Sequence, residues 1–220
     1  MFSVAVYKEE DYLNLEQNPT KCNQTYQKAI SSLYEAQTLS DLGELDQAEI
    51  KLAQAEAAFP KFTAGPDDYD IPRILRERGK IARRRGGPEN LKLAEKQICQ
   101  ALQMQRDVYK DSFDSHPSVA TTYTDLADTL AEMNKLKADK YYKKAIKVNI
   151  SVYKTEVHRF ILRLYKKRQQ LFENLKNKKE MPEKMAQKAE KMAQKADEIA
   201  KKLRDADQLG GGDTGPQVFP

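Results

Sequence analysis

The sequence predicts an all-α protein: an α-α superhelix (solenoid) of about three helix pairs, followed by a capping helix and a C-terminal helix. Three observations predict it. Small residues recur at helical spacing in a run that closes at Pro60, and the pattern returns twice further on. Ala, Lys, Glu, Gln and Leu, all strong helix formers, dominate the chain. Gly and Pro number only 9 each, too few for a loop-rich β fold. With 40% hydrophobic and 32% charged residues, the balance suits helices that bury one face and solvate the other.

Residues 1–22 hold Phe2, Val4, Val6, Tyr7, Tyr12 and Leu13 and read as an N-terminal packing arm. The repeat domain is expected over residues 23–177. Its first unit, 29–60, carries Ala36, Gly43, Ala48 and Ala55. Two helices that pack closely need small side chains where they cross; Gly43 supplies the turn and Pro60 the stop. A linker with Gly65-Pro66-Asp67-Asp68 leads to the second unit, 73–110, whose helices are separated by Gly86-Gly87-Pro88. The third unit, 117–150, follows His116-Pro117 and carries Leu126, Ala127 and Leu130, then Ala138, Tyr142, Ala145 and Ile146, with its turn near Asn134. Residues 151–177 read as a capping helix, with Val157, Ile161, Leu164, Leu171 and Leu175 at helical spacing. Over 178–208 the run KMAQKAE is repeated at once as KMAQKAD. Met185, Ala189, Met192, Ala196, Ile199 and Leu203 then form a heptad seam that is short for an independent coiled coil and calls for something to pack on. The tail, 209–220, is Gly-rich and reads as flexible or as a linear motif.

The segment HPSVATTYTDLADTLAEMNKLKADKYYKKAIKV resembles the tetratricopeptide repeats of kinesin light chains. The His-Pro-x-Val-Ala opening and the Leu-Ala pair carry the likeness, in detail over 116–150 and by pattern over 29–160. The resemblance implies a helical-repeat fold and a protein-binding role. It also implies that one face of each first helix lines a concave groove. Where that family has adjacent Asn residues gripping the ligand backbone, this chain has Thr124-Asp125.

Aligning Gly79 with Ala36 fixes the register of the second unit and turns Arg73, Arg76, Lys80 and Arg83 toward that groove. Helical geometry agrees independently, because spacings of three and four residues share one face. Stacked like charges repel and invite a counter-charge, and Arg forks grip carboxylates bidentately. Leu33 and Gln37 would line the groove from the first unit, and Thr124 and Asp128 from the third. The expected ligand is an acidic segment of a protein partner, cytoskeletal or within a large complex, bound by a non-catalytic scaffold. Two alternatives stand beside it. One is a structural subunit held in an assembly by its outer surfaces and termini. The other is a basic-surface binder of microtubules or nucleic acid, using Lys166, Lys167, Arg168, Lys176, Lys178 and Lys179. Interleaved acids and a net charge of only +5 speak against tight phosphate binding.

No catalytic constellation, cofactor motif or metal site is expected. His116 and His158 stand alone, and His116 sits where it can cap a helix. Cys22 and Cys99 lack metal-ligand spacing and read as reduced thiols of a cytoplasmic protein, with Cys99 in the core. No apolar run reaches the length of a membrane span, and the start lacks a signal-peptide pattern.

Overall fold

A computed structural model describes residues 19–59, 70–133, 136–176 and 182–209. The arm up to residue 18, Pro60, the Gly65–Asp68 linker, the Asn134 turn and the tail from residue 210 lie outside the described residues, as does the Cys22 side chain. Among the described residues there are eight α-helices and no strand: α1 (Pro19–Leu42), α2 (Leu45–Ala58), α3 (Asp70–Arg85), α4 (Pro88–Tyr109), α5 (Pro117–Glu132), α6 (Lys137–Tyr153), α7 (Arg159–Lys176) and α8 (Pro182–Leu209), with a 3-10 segment at Lys110–Ser115. They pack in adjacent pairs, α1 with α2, α3 with α4, α5 with α6 and α7 with α8. This is the all-α, helix-pair construction of an α-α solenoid. The chain divides into two compact units, Met1–Phe113 and Asp114–Pro220, a boundary that falls inside the expected repeat domain.

In the first unit, α1 ends in a left-handed glycine, Gly43, with φ +86°. The Gly43 N–H donates to the Ser40 carbonyl at 3.2 Å and the Glu44 N–H to the Leu39 carbonyl at 2.9 Å. This double closure satisfies the last helical carbonyls, and only a residue without Cβ adopts that φ without strain. Gly86 and Gly87, both at positive φ, make the corresponding reversal from α3, and Pro88 opens α4. The core joins Leu33 and Ala36 of α1, Leu52 and Ala55 of α2, Phe59, and Ile74 and Ile81 of α3. Gly79 is the contact point of α3 with α4: a Cβ there would stand 2.5 Å from Ile98 Cγ1. The buried face of α4 is Ala94, Ile98, Ala101 and Gln105. Cys99, expected in the core, is exposed, because one residue past Ile98 turns about 100° around the helix axis.

In the second unit, His116 caps α5: its Nδ1 accepts the Ser118 N–H at 3.2 Å, and Pro117 takes the first helical position. The helix expected to run unbroken from residue 151 is interrupted. α6 continues to Tyr153, Lys154 adopts the left-handed conformation at φ +55°, and α7 starts at Arg159. His158 Nδ1 accepts the Phe160 N–H at 3.2 Å, so the second histidine also serves a helix start. Its ring stacks on Tyr153, with centroids 3.6 Å apart. Periodicity alone ran residues 151–158 into α7, because Val157 keeps helical spacing with Ile161 and Leu164.

The heptad helix finds its partner within the chain. Met185, Ala189, Ala196 and Ile199 of α8 are buried, and α8 packs on α7, which buries Ile161, Leu164, Leu171 and Phe172. The seam therefore makes a fourth helix pair. The exposed positions of α8 are mostly Lys, Glu, Gln, Arg and Asp, a polar outer face.

Candidate protein-binding surface

Of the residues expected to line a groove, Arg73, Arg76, Lys80, Arg83, Leu33 and Gln37 fall in the first unit, and Thr124 and Asp128 in the second. α3 has five basic residues in its last eight positions plus Arg73 and Arg76, and it distributes them by helical phase. Arg78 and Arg85 turn to α2: Arg78 makes a two-pronged contact with Glu56 at 3.0 and 2.6 Å, and Arg85 reaches Asp46 and Glu49. Arg84 turns to α1, where it meets Ser40 and Asp41. These three are spent on holding consecutive pairs together.

The predicted face carries the rest. Arg73, Arg76, Lys80 and Arg83 are all half-buried. Between them lies Glu77, whose residue exposure is only 1%. Each of its oxygens is committed: Oε1 to Arg76 Nη2 at 3.0 Å and Oε2 to Lys80 Nζ at 2.7 Å. Burial pushes the Glu77 carboxyl up, but the two adjacent cations together outweigh it and hold the group below the usual glutamate range. A buried, doubly paired carboxylate fixes Arg76 and Lys80 in place while cancelling one of their charges. Arg73 and Arg83 bring the cations on this face to four.

Arg73 differs from its neighbours. Its guanidinium carbon sits over the Tyr34 ring, 4.7 Å from the centroid, and among the described residues it makes no ion pair. Tyr34 is 53% exposed, a large aromatic left in solvent on α1. Sequence reasoning missed it. Tyr34 follows Leu33 directly, and only the observed rotation of α1 sends Leu33 inward and Tyr34 outward. Leu33 itself is wholly within the core, and Gln37 is half-buried.

In the second unit the polar groups of α5 are largely used internally. Thr124 Oγ1 donates to the Ala120 carbonyl at 2.9 Å. Asp128 accepts from the Tyr142 hydroxyl at 2.7 Å and from Lys167. Arg168 is buried against Asp139, Nε to Oδ1 at 2.7 Å. Lys167 and Arg168, read from the sequence as part of an outward basic cluster, are thus turned into the unit by α5 and α6 acids. Among the described residues no group of three or more His, Cys, Asp or Glu is placed to hold a metal, and no helix is long and apolar enough to cross a membrane.

Paired helices, glycine-closed turns and small residues at the crossings define a helical-repeat protein of the α-α type. Among solved structures, the crystal structure of BtubC (BKLC) from P. vanneervenii is similar, with 17% identity, 94% of this chain and 96% of that chain covered, and a TM-score of 0.50. At that identity the likeness concerns the fold. No family model and no curated protein matches the sequence.

Proposed function

We propose that this chain is a non-catalytic interaction scaffold of tetratricopeptide type that binds an acidic segment of another protein on the Arg73–Arg76–Lys80–Arg83 face of α3. One observation carries the reading: of the seven basic residues of α3, Arg78, Arg84 and Arg85 reach acids of α1 and α2, whereas Arg73, Arg76, Lys80 and Arg83 share one face of the helix. Four cations on one face make a positive potential that an anionic ligand would complement. The helical-repeat likeness supports a binding role rather than chemistry. Basic-surface binding of phosphates is less well supported, because Lys167 and Arg168 are engaged with Asp128 and Asp139.

The test is binding of a fluorescein-labelled octaglutamate peptide, read by anisotropy, to the full chain and to a variant with Arg73, Arg76, Lys80 and Arg83 all changed to Gln. Circular dichroism checks that the variant is folded. Saturable binding lost in the variant supports the reading. Equal binding by both, or none by the wild type, overturns it.

A further inference from the structure

The four cations of the α3 face are not equivalent, and their inequality points to the residue that directs recognition. Lys80 and Arg76 each spend a donor on the buried Glu77, so a ligand carboxylate must share them with an internal competitor. On α1, the acids nearest in sequence to Tyr34 and the far end of the helix are also taken: Glu35 pairs with Lys51 at 2.6 Å, and Asp41 with Arg84. Arg73 is instead held over an aromatic ring. A guanidinium resting on a ring face keeps its in-plane N–H donors for a carboxylate, and it loses less freedom on binding than a waving side chain. The ring that holds it is more than half exposed, so core packing does not account for Tyr34.

We infer that Tyr34 is a positioning residue: its ring holds the Arg73 guanidinium as the principal carboxylate-gripping fork of the α3 face. The inference rests on the acidic-segment reading above and names the residue pair that gives that surface its specificity. Arg76 and Lys80 then supply background positive potential, and the Tyr34–Arg73 pair supplies directional hydrogen bonds. Lysine at position 73 would keep the charge and lose both the fork and the planar stacking surface.

The experiment uses the same octaglutamate anisotropy assay on the full chain, with Tyr34→Ala, Tyr34→Phe and Arg73→Lys compared with wild type. Tyr34→Ala and Arg73→Lys should each weaken binding about fivefold, the size of one exposed cation–π contact. Tyr34→Phe, which keeps the ring, should bind within about twofold of wild type. A merely structural role would not yield that rescue, and unchanged melting midpoints confirm that the fold is intact. If wild type binds and the four-Gln variant does not, yet Tyr34→Ala and Arg73→Lys bind like wild type, this inference falls and the acidic-segment reading survives. If Tyr34→Phe is as weak as Tyr34→Ala, the ring is not the cause and the inference likewise falls. If wild type itself fails to bind, both fall together.

Discussion

Replacing Gly79 with alanine tests the register on which the basic face depends. In an isolated helix the change would favour folding by about 1 kcal/mol, because glycine is a poor helix former. Here the new methyl would lie 2.5 Å from Ile98 Cγ1, 3.1 Å from Ile98 Cδ1 and 3.3 Å from the Ala94 carbonyl oxygen. Cγ1 is close to the Ile98 backbone, and the residue is completely buried, so rotation cannot clear it cheaply. Overpacking of this kind costs about 1–3 kcal/mol. The steric loss should exceed the propensity gain, leaving Gly79→Ala destabilised by about 1 kcal/mol. The same argument predicts a reversal in an Ile98→Ala background. That single change should cost about 2–5 kcal/mol by itself, but it removes the obstructing atoms. Gly79→Ala added to it should then stabilise the protein. Urea midpoints followed by circular dichroism at 222 nm complete the double-mutant cycle. If Gly79→Ala is stabilising in the wild-type background, or has the same effect in both, then α3 and α4 do not cross at Gly79 and the placement of the basic face is unfounded.

Three further outcomes are expected. Glu77→Gln should destabilise the first unit by about 1–3 kcal/mol, since it leaves Arg76 and Lys80 partly buried beside a neutral group. Because Glu77 titrates below its unfolded value, its contribution is present above the ordinary glutamate range and is lost as pH falls through the lower folded value. The wild type should therefore lose more stability than Glu77→Gln on acidification below about pH 4, as measured by thermal melts across pH. Asp139→Ala should cost about 3 kcal/mol by stranding Arg168, whereas the double change Asp139→Leu with Arg168→Met should be near neutral in urea titrations, as for other buried ion pairs. Ile199→Asp should put a carboxylate into the α7–α8 seam and make α8 the first target of limited proteolysis, while Asp197→Ala on the exposed side should leave cleavage unchanged.

The histidines contribute a pH response of their own. Burial lowers the titration of His116, and burial together with Arg159 lowers that of His158. In both, Nδ1 accepts a backbone N–H, which only the neutral ring can do. Their stabilisation is complete above the unfolded histidine range and declines as pH falls through about 6.5 toward the lower folded values.

The sequence by itself determined the helices and the way they reverse. Helix-forming composition, small residues at the crossings, and glycines at positions 43, 86 and 87 are local properties, and each acts within a few residues of where it stands. The clustering of Arg73, Arg76, Lys80 and Arg83 on one face was equally legible, because helical phase is local arithmetic. Tertiary structure decided how those charges are used. Arg78, Arg84 and Arg85 look like their neighbours in the sequence, and only the placement of α1 and α2 supplies the acids that take them. The same holds for Tyr34, whose exposure beneath Arg73 depends on the rotation of α1 against α3. It holds again for the heptad seam of α8: its apolar spacing announced a need for a partner, but a seam of that kind fits a second chain as well as its own. The choice of α7 was made by proximity along the chain, since a short connection makes the intramolecular pairing the less costly one in entropy.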